Sequence, residues 1–183
     1  MDFDEKLLAT RSIYQGRIIN VAEETVKLPD GQQAKREIVH HQGAVALLCI
    51  SDEDPQRIIL VNQWRQPMRQ ASLEIPAGKI EAGEQPEYTA SRELNEEVRL
   101  QATNLKKIAF FYTSPGFADE QMTLYLAQGL QPVEKKLPQD ADEFLHVEKL
   151  SMEQADQAVA SGRICDGKTL MGLWYWKILQ AKG

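Results

Sequence analysis

The chain has 183 residues, 43% of them hydrophobic and 26% charged, enough apolar material for a folded core and too much for a disordered chain. Twenty-one Lys and Arg stand against 27 Asp and Glu, a formal charge of −6. The net field therefore works against a broad grip on nucleic acid or on an anionic membrane.

The N-terminal stretch MDFDEKLLATRS carries acids where a secretory signal would carry bases. No apolar run of about 18 residues exists anywhere, so no transmembrane helix is expected, and the chain reads as cytoplasmic. Residues 17–28 and 33–41 alternate in part around Pro29-Asp30-Gly31, which predicts a β-hairpin. Residues 43–50 (GAVALLCI) form a continuous apolar strand buried on both faces. Asp52-Glu-Asp-Pro55 turns the chain, and 57–63 returns as a strand. A helical pattern covers 86–98, followed by strands at 105–112 and 121–127 and a shorter one at 143–150. Two more helices fall at 151–161, with Ser151 and Gln154 as a capping box, and at 167–180, with Asp166 as N-cap. Leu170, Met171, Trp174, Tyr175 and Trp176 read as the core face of the last helix. Strands and helices mix without regular βα alternation, so the fold class is α+β, a sheet between helices. Cys49 reads as a packed hydrophobe and Cys165 as an exposed thiol. Two unspaced Cys with His40, His41 and His146 do not make a zinc site.

The acids concentrate. Glu84, Glu87, Glu93, Glu96 and Glu97 face one base, Arg92, between residues 84 and 97. On a helix, Glu93, Glu96 and Glu97 share a face, while Ala90, Leu94 and Val98 line the adjoining buried seam. A solvated stabilising face would interleave Lys instead. Carboxylates clustered without bases suit a hard divalent cation, Mg2+ or Mn2+, which takes oxygen ligands.

The spacing is more specific than the composition. Gly78, five residues, Glu84, seven residues, then Arg92-Glu-Leu-Asn-Glu-Glu-Val-Arg-Leu100 resembles the Nudix box, G-x5-E-x7-R-E-U-x-E-E-x-G-U. Only the final Gly differs; Arg99 stands there, where glycine normally closes the helix in a left-handed conformation. The resemblance implies an α/β/α sandwich that hydrolyses a nucleoside diphosphate linked to another moiety, using divalent cations. It implies metal ligands among Glu93, Glu96, Glu97 and the Ala77 carbonyl, with Arg92 orienting a box glutamate. Glu84 would hold the loop or bind metal through water.

Outside the box, Pro115 stands 16 residues after Arg99 in Ser114-Pro-Gly-Phe-Ala-Asp-Glu120. With Leu73-Glu-Ile-Pro-Ala-Gly78 and Lys35-Arg-Glu-Ile-Val39, it is similar to the ADP-ribose pyrophosphatase and nucleoside diphosphate sugar hydrolase subgroup. That likeness implies a β-rich N-terminal dimerisation region over 1–42, a hydrolase domain over 43–183, and a homodimer. It implies Arg36 reaching the nucleotide from a partner subunit, with a cross-strand ion pair as the alternative. Arg65 would grip phosphate, or sit in a surface ion pair, and Arg17 and Glu120 are further substrate contacts. Trp64 is either a stacking group or a core residue. The general base would come from Asp140-Ala-Asp142-Glu143, Glu143 before Asp142 and Asp140, with Asp142 also a metal ligand. The implied reaction splits ADP-ribose or a related nucleoside diphosphate sugar into a nucleoside monophosphate and a sugar phosphate. The alternatives are a sensor that binds without cleaving, or a Nudix hydrolase of nucleoside triphosphates or capped RNA.

Overall fold

The computed structural model describes residues 3–53, 56–139 and 143–182. The chain divides into two compact units: residues up to Gly43 together with Phe111–Met122, and Ala44–Phe110 together with Thr123 onward.

In the second unit every residue of β4 (Ala44–Ile50) is buried, so both faces of this strand need a cover. Side chains alternate across a strand. Val45, Leu47 and Cys49 join one core cluster with Ala90, Leu94 and Val98 of helix α1 (Pro86–Val98). Ile59 and Val61 of β5 (Ile58–Arg65) and Tyr125 and Ala127 of β9 (Gln121–Pro132) complete it. Leu48 belongs to the opposite set. It approaches α3 (Gly167–Lys182) at Gly172, where an added Cβ would lie 3.7 Å from Leu48 Cδ1 and 3.5 Å from Ile75 Cδ1. The sheet is thus sandwiched, as expected.

Its order is β10 (His146–Leu150), β5, β4, β9, β8 (Leu100–Tyr112). The short strands β6 (Gln70–Glu74) and β7 (Ala77–Lys79) add to β5 and β4 respectively. They carry the Leu73–Gly78 segment, which held no strand signal. Helix α2 (Met152–Ala160) starts from the expected box: Gln154 N–H donates to Ser151 Oγ at 3.2 Å and Ser151 N–H to Gln154 Oε1 at 2.9 Å. Asp166 caps α3, accepting from the Thr169 N–H at 3.0 Å. One expectation fails on α3. Trp176 is buried, but Trp174 is exposed, because a helix with an apolar residue on every face can bury only one of them.

In the first unit β1 (Lys6–Gln15), β2 (Ile19–Lys27) and β3 (Gln33–His41) form an antiparallel sheet in that order. The expected hairpin is its second half. Gly31, at φ +90°, makes the turn, and Asp30 Oδ1 accepts from the Gln32 N–H at 3.0 Å. Segment 111–122 adds to this unit through a parallel bridge of Val39 with Ala118. Val39 N–H donates to Phe117 O at 2.8 Å, and Asp119 N–H donates to Val39 O at 3.1 Å. Among the described residues no helix is long and apolar enough to cross a membrane.

Candidate active site

Helix α1 begins at Pro86, whose fixed φ suits a first turn, after an extended Gln85. It ends at Arg99 with φ 60° and ψ 32°, a left-handed residue that is not glycine. Its guanidinium donates to the carbonyls of Asn95, at 3.4 Å, and of Leu137. Asn95 joins in: its Nδ2 donates to Lys135 O and its Oδ1 accepts from the Leu137 N–H, each at 3.0 Å. The missing glycine is therefore replaced by a tether. The helix keeps its left-handed exit and pins residues 135–137, which lead toward Glu143.

The acids of α1 are not without a base, because Arg92 serves several of them. Its Nε and Nη2 fork onto Glu84 at 3.0 Å each. Its Nη1 donates to Glu93 Oε1 at 2.7 Å and to Glu96 Oε2 at 2.8 Å, and Nη2 also reaches Lys79 O at 3.1 Å. Glu84 accepts in addition from Thr89 Oγ1 at 2.8 Å and from the Glu81 N–H at 3.2 Å. Arg92 above all, against some burial, then Thr89 and the Glu81 N–H, hold the Glu84 carboxyl down to about 2. Glu84 is thus the ionised anchor that fixes Arg92 and closes the loop before the helix.

Glu93 and Glu97 differ in kind. Both are buried. Burial pushes Glu93 up to about 7 against the opposing pull of Arg92, and Glu96 and Glu143 add repulsion. Burial, then the Glu93 charge, hold Glu97 well above the usual carboxylate range, although Ala77 N–H donates to its Oε2 at 3.0 Å. Burial and the Glu97 charge likewise raise the Cys49 thiol, so that cysteine is inert. Gly78 explains how Glu93 fits: a Cβ there would lie 1.9 Å from the Glu93 carboxyl carbon and Oε1. The glycine clears space for a carboxylate, a different need from backbone flexibility.

Two buried carboxylates whose ionised forms are disfavoured by burial and mutual repulsion lack positive charge. Glu93, Glu96, Glu97 and the Ala77 carbonyl offer oxygen only, the donor chemistry of a hard divalent cation. Among the described residues no three acidic, His or Cys side chains already converge as a coordination shell, and Arg92 holds one oxygen each of Glu93 and Glu96. Asp142 and Asp140 lie outside the described residues. Glu143 is described, and its charge acts on both Glu93 and Glu97. The structure therefore gathers Glu143, Ala77, Arg92, Glu93, Glu96 and Glu97 in one unit.

Arg65 shares that unit, and its fork is engaged. Nε and Nη2 donate to the two Glu74 oxygens at 2.9 and 2.7 Å. Lys168 Nζ also donates to Glu74 Oε2 at 2.5 Å and lies 3.0 Å from Asp166 Oδ2. Burial opposes the Glu74 charge, yet Arg65 and Lys168 together bring its carboxyl down to about 2. Glu74 stands in the Leu73–Gly78 motif and Lys168 in none, and neither was legible as a site residue. Their signal is a buried ion pair, which only the fold creates.

Arg36, Arg17 and Glu120 all belong to the first unit. Arg36 forks onto Glu5, Nε to Oε2 at 2.9 Å and Nη2 to Oε1 at 2.5 Å. Arg17 is exposed in the turn from β1 to β2. Glu120 accepts from Thr113 Oγ1 at 2.5 Å and lies 3.7 Å from His41 Nδ1.

Residues 40–170 match the NUDIX domain, and residues 5–39 match the Nucleoside diphosphate sugar hydrolase N-terminal domain. The chain belongs to the Nudix family. It is 46% identical over 178 residues to an ADP-ribose pyrophosphatase of Bacillus subtilis (strain 168), covering 97% of this chain and 95% of that one. It is 42% identical over 179 residues to a methanol dehydrogenase activator of Bacillus methanolicus, covering 98% and 96%. Among solved structures an ADP compounds hydrolase shares the fold, with a TM-score of 0.85 at 20% identity over 100% of this chain and 98% of that one.

Proposed function

We propose that this chain hydrolyses the pyrophosphate bond of ADP-ribose or a related nucleoside diphosphate sugar, giving a nucleoside monophosphate and a sugar phosphate. The observation that carries this is the buried Glu93 and Glu97 pair beside Gly78, with Glu143 acting on both. The names of similar full-length relatives support the substrate class. An intact set of box carboxylates favours cleavage over binding alone.

Glu93, Glu96, Glu97, the Ala77 carbonyl and Asp142 would hold Mg2+ or Mn2+. When bound, such a cation supplies charge neutralisation at the diphosphate and lowers the pKa of water. The chain's own residues do the rest. Arg92, fixed by Glu84, keeps Glu93 and Glu96 in place. Arg65 meets phosphate with a rigid guanidinium held by Glu74. Glu143 accepts the proton of the attacking water. Arg36 reaches the nucleotide from a partner subunit, and Arg17 and Glu120 are further substrate contacts. Phosphoryl transfer asks mainly for this kind of positioning and charge balance, with no covalent nucleophile required.

The chain acts as a homodimer built on residues 1–42. Support comes from β1, where all ten residues are exposed and Leu7, Leu8, Ile13 and Tyr14 present apolar surface. The cytoplasm is its compartment, in keeping with its free cysteines.

The test is Glu97→Gln with product analysis by chromatography. Turnover of ADP-ribose with Mg2+ should fall by about a hundredfold or more while the circular dichroism spectrum is unchanged. A variant as active as the wild type would sink the metal assignment.

A further inference from the structure

Trp64, one residue before the end of β5, is 60% exposed, so it is not the core residue that a strand end would favour. Its Nε1 donates to Gln66 Oε1 at 2.8 Å, which anchors one edge of the indole. Phe144, directly after Glu143, is 86% exposed. Both aromatics line one groove of about 460 Å3, together with Glu143, Asn62, Gln63 and His146. A single exposed aromatic is ordinary; two in one groove with a site carboxylate are not.

The lining states what the groove takes. Among the described residues that form it there is no Lys or Arg, so it is no place for a phosphate. Two aromatic faces offer a platform for the C–H face of a ring. The amides of Asn62 and Gln63 and the imidazole of His146 can donate to and accept from hydroxyls. Aromatic faces beside such donors and acceptors suit a polyhydroxylated ring. Glu143 lines this groove and is the residue to which the proton of the attacking water is assigned above, so the ring that reaches it is one bonded directly to the diphosphate. A nucleobase sits one ribose further away. The ribose of the nucleoside is bonded to the diphosphate as directly as the sugar beyond it, and the two substrate series below tell the two apart.

We propose that Trp64 and Phe144 form the subsite for the sugar beyond the diphosphate and set which sugars the enzyme accepts. This rests on the hydrolase reading given above. The test compares kcat/KM of the wild type, Trp64→Ala, Trp64→Phe and Phe144→Ala on two series. One series varies the sugar on ADP, with ribose, glucose and mannose; the other varies the base on a diphosphoribose. Each alanine variant should lose about tenfold in kcat/KM on its best sugar, through KM, and flatten the ranking of sugars. Trp64→Phe should restore that ranking, and the ranking of bases should not move. Unchanged sugar ratios, or altered base ratios, overturn the proposal.

A binding measurement separates this from the reading it rests on. With Trp174→Phe removing the other exposed indole, Trp64 fluorescence should respond to ADP-ribose in Ca2+ and not to AMP. An equal response to both, or none to either, overturns the subsite. A wild type that responds to ADP-ribose yet yields no product with Mg2+ or Mn2+ would overturn the hydrolase reading and leave the subsite standing.

Discussion

At the scale of single residues, Gly78 shows how a motif position can be right for an unexpected reason. The spacing from Gly78 to Glu84 and Arg92 marks the segment in sequence, but not what the glycine accommodates. In the fold a Cβ at this position would lie 1.9 Å from the Glu93 carboxyl carbon. Gly78→Ala should therefore displace Glu93 without unfolding the chain, because residue 78 is not among those with positive φ. The expected outcome is a fall of about a hundredfold in turnover with a wild-type melting curve, checked by kinetics and calorimetry together. The glutamates were legible because helical geometry places i, i+3 and i+4 side by side. The hub role of Arg92 was legible only in part, since the Lys79 carbonyl and Thr89 approach it or its partner through the fold. The ion pair of Arg65 with Glu74 crosses two paired strands and has no local signature at all.

Elements show where periodic patterns fail. The helix over 86–98 was read to the residue, because a proline start and an apolar seam define it. Strand β1 was not read, and all ten of its residues are exposed; with no face buried in its own chain, it has no apolar period to reveal it. Strands β6 and β7 are too short to show one. The exit of α1 yields a clean comparison. Arg99→Ala and Arg99→Gly both lose the tether to Leu137 O, but only alanine keeps the cost of a side chain in the left-handed region. Arg99→Gly should be the more stable variant by about 1 kcal/mol in urea unfolding. Equal stability would show that a side chain in this left-handed position carries no measurable cost. The start of α3 yields a pH dependence. Glu74 titrates at about 2 in the fold, below its ordinary 4.5. A carboxylate with a depressed pKa contributes stability above its unfolded value and loses it as pH falls. The melting temperature should thus hold above about pH 5 and drop between about 4.5 and 2. Glu74→Gln should start lower at neutral pH and show a shallower drop over that window.

For the whole molecule, the charge of −6 has become a local matter. Acids crowd along α1 with Arg92 as their one base on the helix, and a divalent cation held there would invert the sign of the field that a diphosphate meets. The apolar strand β1 is the other unfinished business of an isolated chain. Leu7→Asp with Tyr14→Asp should convert a dimer to a monomer in light scattering and raise KM for ADP-ribose; a dimer of undiminished mass would remove β1 from the interface. One feature of the fold bears on how such an enzyme can be taken apart. The first unit is drawn from two stretches of chain, the residues up to Gly43 and Phe111–Met122, bridged at Val39 and Ala118. A cut at residue 42 follows the sequence but not the unit. Removing the N-terminal stretch alone strands Phe117 and Asp119 without their backbone partners on Val39. A chimera that borrows this first unit from a relative must therefore carry both stretches across together, as a matched pair.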